Sequence, residues 1–200
     1  MTAWKFYDDN SERLFNDYVS LKFKDIFSDV EQFICNSSGC ALDVGAGSGR
    51  DSAALSDLGF DVTAVEPSKK MRELAASFYR KNKIKWIDDS LPFLKKIISS
   101  KKKFDLILIS AVWMHLTSQE QVESLSSLMR LLQPKGNIII TLRLGPKEPD
   151  RHIQEINISE LLTNALKLGF IIAYVSEVRD DSFNRPHIKW QKVVLTTPIK

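Results

Sequence analysis

Short apolar runs alternate with stretches of helical period along most of this chain, and that alternation is its strongest constraint. Strands buried on both faces and separated by helices build a mostly parallel sheet covered on each side. The runs "CALDV" (40–44), "FDVTAVE" (60–66), "IKWI" (84–87), "FDLILIS" (104–110) and "NIIITLR" (137–143) read as the first five strands. A helix over roughly 50–58 turns Ala54, Leu55 and Leu58 inward and stops at Gly59. Ser68 caps a second, with Met71, Leu74, Ala75 and Phe78 on one face. A shorter helix occupies 93–98. Thr117 and Glu120 form a capping box that opens a helix burying Val122, Leu125, Leu128 and Leu132, and "PKG" then turns the chain into strand five. Ser159 caps a last helix running through Leu168 to Gly169. "FIIAYVSEV" and "KWQKVVLTT" follow, joined by about a dozen residues, too few for a crossover helix, so they pair antiparallel. The expected fold is α/β: a seven-stranded, mostly parallel sheet with an antiparallel last strand and helices on both faces.

Residues 1–35 precede this pattern as a helical segment in which Leu14, Tyr18, Leu21, Ile26, Phe27, Val30, Phe33 and Ile34 recur at three- and four-residue spacing. With 200 residues, 44% hydrophobic and 26% charged, the chain fits one domain with a substantial core, a helical segment at 1–35 and a sheet domain at 36–200. A net charge of +3 does not imply a polyanion partner, and the lysines of 95–103 read as a solvated helix end and loop. Cys35 and Cys40 have no matching Cys/His cluster, so they read as packing residues and no metal is expected. There is no basic-plus-apolar leader and no apolar run near the ~20 residues of a membrane span. The expected setting is the reduced cytoplasm, without a membrane partner.

The stretch "ALDVGAGSGRDS" (41–52) places Gly45, Gly47 and Gly49 at alternate positions between the first strand and the first helix. Open parallel sheets bind ligands at the carboxyl ends of their strands, with the first strand-to-helix turn favoured. The spacing is Gly-x-Gly-x-Gly, not the Gly-x-Gly-x-x-Gly of a dinucleotide fingerprint, and no Gly-Lys-Ser/Thr ending marks a triphosphate loop. Asp43, two residues before the first glycine, would repel a pyrophosphate; it suits a ligand bearing an ammonium, or orders the loop amides around one. Glu66 closes strand two, where an acid accepts hydrogen bonds from both ribose hydroxyls. The demand is for a nucleoside with a ribose diol, a positive centre and no phosphates.

These residues resemble the class I S-adenosylmethionine-dependent methyltransferases, and the resemblance covers nearly the whole chain. The family's Asp/Glu-x-Gly-x-Gly-x-Gly motif matches Asp43, Gly45, Gly47 and Gly49, and its acid at the end of strand two matches Glu66 in "VEPS". "WIDDSLPF" offers Asp88 or Asp89 for the acid that touches the adenine amino group, with Asp88 favoured. "FDLILISAVWMHL" looks like the segment beside the cofactor's methionine part, and "LLQPKGNIIITL" like the turn into strand five. The resemblance implies a Rossmann-like sheet, S-adenosyl-L-methionine as cofactor and S-adenosyl-L-homocysteine as product. Ala46, Arg50, Pro67, Ser110 and Ala111 are expected beside the cofactor, Tyr18 either closes over it or belongs to the core by its helical spacing, and the resemblance makes "FYDDNSERLFNDY" (6–18) a lid.

Methyl transfer from a sulfonium is an in-line displacement, so the protein must align the nucleophile and exclude water. His115, just past strand four, is the best-placed general base, or else it packs against the following helix. Trp113 stacks on the acceptor or the sulfonium, or simply covers the pocket. Arg143, ending strand five, clamps an anionic acceptor or the cofactor carboxylate, with Arg50 a rival for the latter; either can instead be a surface ion pair. The segments "GPKEPDRH" and "RDDSFNRPHIKW" are free to form a substrate wall, and Tyr7 to close over the cofactor. No Asn/Asp-Pro-Pro-Tyr/Phe motif, Pro-Cys nucleophile or recognition appendage is present, which favours an oxygen, nitrogen or sulfur nucleophile on a small molecule. An RNA or protein acceptor and a non-catalytic cofactor-binding scaffold stay open as alternatives, since one fold serves many functions.

Overall fold

The computed structural model describes residues 3–34 and 39–198; Cys35 lies outside them. Eight strands form one sheet: β1 (Cys40–Val44), β2 (Asp61–Val65), β3 (Ile84–Ile87), β4 (Phe104–Ile109), β5 (Leu132–Leu144), β6 (Ile171–Val175), β7 (Arg179–Asp180) and β8 (Lys189–Thr196). Their order is β3-β2-β1-β4-β5-β8-β6, with the two-residue β7 pairing on β8. The first five run parallel, and β8 is antiparallel to both β5 and β6. The last strand is antiparallel as expected, yet it does not form the edge: it inserts between β5 and β6. The eight-residue register from Asn137↔Thr196 to Leu144↔Lys189 secures it there.

Alternate residues of the central strands face opposite layers, as strand geometry requires. Ile107 and Ile109 of β4, with Ile138, Ile140 and Leu142 of β5, join one core. Against them pack α6 (Lys95–Ser99), α7 (Ser118–Leu131) and α8 (Ile158–Lys167), through Ile97, Leu125, Leu128, Leu161 and Ala165. Leu106, Leu108 and Ile139 face the other layer, with Phe27 of α3 (Phe23–Phe27), Val30 and Leu55 of α4 (Arg50–Asp57). Each fully buried side chain of this size contributes about 1.5–3 kcal/mol, which is why both faces are covered.

The N-terminal helices α1 (Ala3–Asp9) and α2 (Ser11–Val19) lie over α5 (Lys69–Phe78), where Leu14 and Phe15 pack on Met71 and Ala75. Asp8 pins α1 to the start of α5 by accepting hydrogen bonds from the Ser68 hydroxyl and, at 3.1 Å, from the Lys70 amide. The lid therefore docks one turn beyond Glu66.

Four helix details differ from the sequence reading. Asn157, not Ser159, caps α8, accepting from the Glu160 amide at 3.1 Å, because it is the last extended residue before the helix. Leu94 adopts a left-handed φ of 46°, which delays the short helix to Lys95. Leu58 and Phe78 are exposed, the latter edge-on to Phe15 at 5.4 Å between ring centroids. Leu132 is buried as expected, but as the first residue of β5, not in α7. The Thr117–Glu120 capping box forms as read.

Candidate functional site

The carboxyl ends of β1, β2, β4 and β5 open into a cavity of about 1050 Å³, roofed by α1 and α2. The glycine loop forms its floor. Gly45, Gly47 and Gly49 all have positive φ (70°, 52° and 78°), the region in which glycine is the undemanding residue. The Gly45 and Ala46 amides donate to the Val65 carbonyl at 2.8 and 2.9 Å, which ties the loop to the end of β2. Gly45, Ala46 and Gly47 line the cavity, whereas Gly49 lies under the loop as the N-cap of α4, with Trp86 and Ala75 where a Cβ would project.

Glu66 lies at the centre of the floor, 7% exposed. One carboxylate oxygen accepts from the Gly47 amide and the other from the Ser68 amide, both at 2.8 Å. Each oxygen keeps lone-pair capacity for a further donor, which is what a ribose diol needs. Pro67, Ser110, Ala111 and Tyr18 also line the cavity. Asp43 does not: it sits beneath the loop, 1% exposed, accepting from the Ser52 hydroxyl of α4 at 2.6 Å. Burial and the neighbouring Asp51 push its carboxyl upward. Of its two sequence readings, ordering the loop is the one this position serves. Arg50 is half-buried and holds Asp51 through two nitrogens at 2.6 and 2.8 Å, so its charge is already matched.

The two aspartates after β3 divide. Asp88, favoured by the sequence reading, points away: its carboxylate is 58% exposed, near Arg72 and Lys96 at 3.6 and 3.5 Å, and does not line the cavity. Asp89 does line it, and caps α6 by accepting from the Lys96 and Ile97 amides at 2.7 and 3.1 Å. The cap fixes that carboxylate at the cavity wall.

Beyond β4 a single 3₁₀ turn, Trp113–His115, aims successive side chains about 120° apart. His115 and Met114 face the cavity, and Trp113 goes into the core with no exposed surface, so the expected stacking on a ligand is corrected: the indole fills the layer of Leu125 and Leu128. His115 meets the lid: its Nε2 lies 2.9 Å from the Tyr7 hydroxyl, and its Nδ1 is 3.3 Å from the His152 carbonyl. A carbonyl can only accept, so Nδ1 carries the proton and Tyr7 donates to Nε2. Burial pushes His115 down to about 4 and holds the Tyr7 phenol above its ordinary 10, so both are neutral at physiological pH. No sequence signal joins Tyr7 to His115 across 108 residues.

Arg143, at the end of β5, is 1% exposed, which removes the surface-pair reading. It donates to the Pro146 carbonyl at 2.9 Å and to Glu148, which also receives Arg151 at 3.1 Å. Arg143 and Arg151 line the cavity together, as do Arg185 of the second loop and Trp190 at the start of β8, both bonded to Asp181 at 2.8 Å. His152 lines it as well, and His187 is absent from the lining. Among the described residues no cluster of three or more His, Cys, Asp or Glu could hold a metal, and no helix is long and apolar enough to cross a membrane.

Glu66 gives the unliganded fold a pH dependence. Burial raises its carboxyl from the ordinary 4.5 to about 7, although the two amides and Arg72 oppose the rise. Between those values the folded state binds more protons than the unfolded state, so stability falls as pH rises through that window, by up to about 1.4 kcal/mol per pH unit. Thermal denaturation should show the Tm of the wild type falling relative to that of Glu66→Gln from pH 5 to pH 7.5, a difference that cancels the opposite contribution of the buried His115.

Residues 42–140 match the methyltransferase domain family. An uncharacterized methyltransferase of Bacillus licheniformis is 31% identical over 123 residues, covering 60% of this chain and 56% of the relative. The chain thus spans little more than half of that relative's length. A TehB-like SAM-dependent methyltransferase from Corynebacterium glutamicum has a TM-score of 0.69 at 17% identity, covering 96% of this chain and 99% of that one. The glycopeptide N-methyltransferase MtfA complexed with (S)-adenosyl-L-methionine has a TM-score of 0.67 at 15% identity, covering 88% and 95%. At those identities the likeness is one of fold. The motif order along the chain, the strand order and the family match make residues 42–140 a class I S-adenosylmethionine-dependent methyltransferase domain.

Proposed function

We propose that the protein transfers a methyl group from S-adenosylmethionine to an oxygen, nitrogen or sulfur nucleophile of a small molecule. The observation that carries this reading is one roofed cavity running from Glu66 and the glycine loop to the Tyr7–His115 pair. Its volume of about 1050 Å³ is at the upper end of the ~300–1,000 Å³ that holds one drug-sized ligand, leaving room for a cofactor and a small acceptor.

In this reading Glu66 holds the ribose hydroxyls, the Gly45–Ala46–Gly47 backbone lies against the amino-acid portion, and Asp89 faces the adenine. The cofactor, when bound, supplies a sulfonium-activated methyl group. The lid excludes water from the β4 exit, which aligns an in-line attack and prevents loss of the methyl to solvent. Where the nucleophile carries a proton, Tyr7 Oη accepts it while passing its own proton to His115 Nε2, and the imidazole holds the charge. Burial keeps His115 unprotonated throughout the neutral range, so Nε2 is free to accept that proton.

Calorimetry with S-adenosylmethionine and S-adenosylhomocysteine, followed by a screen of small acceptors with labelled methyl donor, tests the reading. Saturable binding of both is expected; no binding by the wild type would sink it. His115→Gln should lower kcat by about a hundredfold with cofactor Kd within a factor of two. The wild-type kcat should stay flat down to about pH 5 and fall only as His115 is protonated near 4. An acid limb of kcat near 6.5 would rule out this buried imidazole as the base.

A further inference from the structure

We propose that the acceptor half of the cavity recognises a carboxylate, so that the methyl acceptor is a small organic acid held by Arg143 and Arg151. The proposal rests on the methyltransferase reading for the word acceptor, but not for the anion site itself.

Two buried or half-buried guanidiniums share one carboxylate. Glu148 takes a nitrogen of Arg143 and, at 3.1 Å, one of Arg151. The neighbouring Arg185 is matched separately, its Nε and Nη2 each 2.8 Å from Asp181. Counting these five groups, three cations face two anions, and the surplus charge sits on the Arg143–Arg151 pair. An unmatched charge is costly away from water, and the usual remedy is a counter-ion.

The donors themselves are incomplete. The Nε atoms of both Arg143 and Arg151 are buried and have no hydrogen-bond acceptor among the described residues, and the Arg143 side chain is 1% exposed. A buried donor left unsatisfied costs about 1–3 kcal/mol, so two on adjacent guanidiniums lining one cavity point to an acceptor atom supplied by a ligand. One surplus positive charge and planar N–H donors suit a monoanionic, planar carboxylate.

The position relative to the reacting atoms is the third observation. Arg151 stacks its guanidinium over Phe6 at 5.6 Å, lies beside the Tyr7 phenol and precedes His152, whose carbonyl orients His115. An acid anchored here presents its remaining atoms to Tyr7 Oη.

The test uses the full chain loaded with S-adenosylhomocysteine and a panel of aromatic and aliphatic monocarboxylates, from acetate to benzoate and phenylacetate. Each is paired with its methyl ester, and phenyl phosphate is added as a dianionic probe. Binding is read by saturation-transfer NMR and by the shift in Tm. Acids should bind at least about tenfold more tightly than their esters, and Arg151→Gln, at a half-buried position, should abolish that preference while leaving S-adenosylhomocysteine affinity unchanged. Glu148→Gln removes the internal counter-ion, so it should lower Tm, tighten acid binding and have its Tm restored by acids but not by esters. Esters binding as well as acids, no acid binding by the wild type, or an acid preference that survives Arg151→Gln would overturn the proposal. Preference for phenyl phosphate over every carboxylate would also overturn it, in favour of a phosphate ester. Failure of cofactor binding with acid binding intact would count against the methyltransferase reading alone.

Discussion

Replacing Glu66 by alanine should weaken S-adenosylmethionine binding by at least about a hundredfold in calorimetry. A buried carboxylate accepting from two ribose hydroxyls makes two charge-assisted hydrogen bonds of about 1.5–3 kcal/mol each, and about 2.8 kcal/mol is already a factor of one hundred. The loss is local, because the same carboxylate orders the floor: without it the Gly47 and Ser68 amides lose their acceptor and the loop loses its link to the start of α5. Tm should change much less, since the substitution removes those two bonds and also the cost of a buried charge, two effects of opposite sign. The same buried carboxyl sets the pH dependence of binding. With its proton leaving near 7, wild-type affinity should rise with pH through neutrality, and that rise should vanish in Glu66→Ala. The control is Asp88→Ala, where an exposed carboxylate outside the cavity should leave affinity within a factor of two. A hundredfold loss there instead would return the adenine contact to Asp88.

The fold was legible wherever one physical rule acted alone. Continuous apolar runs such as "FDLILIS" can only be strands buried on both faces, and Gly45, Gly47 and Gly49 mark a turn whatever the rest of the chain does. The insertion of β8 between β5 and β6 could not be read, because both neighbours present similar apolar faces and the choice depends on a register that only the assembled sheet defines. Asp89 was hidden for a different reason. Two adjacent aspartates are chemically equal until one is recruited as a helix cap, and the left-handed Leu94 that sets where α6 begins carries no sequence mark. Trp113 and His115 were equally plausible ligand contacts from their position after β4; a 3₁₀ turn of three residues sends one to the core and the other to the cavity. The pairs that matter most at the acceptor end, Tyr7 with His115 and Arg143 with Arg151 through Glu148, are products of tertiary folding. Their residue types were visible and their meetings were not.

Gly45→Ala should be the most damaging single-methyl change in the molecule, and Gly47→Ala the contrast that explains why. Both glycines have positive φ, at 70° and 52°, so each alanine takes on a left-handed penalty of about 1–2 kcal/mol. The surroundings differ. A Cβ on Gly45 would lie 2.3 Å from Cγ2 of Val112, a β-branched side chain stiff at χ1, whereas a Cβ on Gly47 would find nothing nearer than the Gly45 carbonyl oxygen at 3.9 Å. Overpacking of that kind adds about 1–3 kcal/mol, so Gly45→Ala should cost about 3 kcal/mol in urea denaturation and Gly47→Ala about 1–2 kcal/mol. The clash must push the loop off the β4 exit, which strains the Gly45 and Ala46 amide bonds to the Val65 carbonyl and moves the floor away from Glu66. Cofactor affinity should therefore fall with stability in Gly45→Ala. In Gly47→Ala a methyl group enters the cavity itself, so affinity should fall more than stability does. The double variant Gly45→Ala/Val112→Ala separates the two contributions, because removing the Val112 methyl groups relieves the contact but not the backbone strain. Recovery of roughly half the lost stability is expected. Full recovery would mean that the left-handed geometry at Gly45 costs alanine nothing, and no recovery would mean that the loop, not Val112, refuses the methyl group.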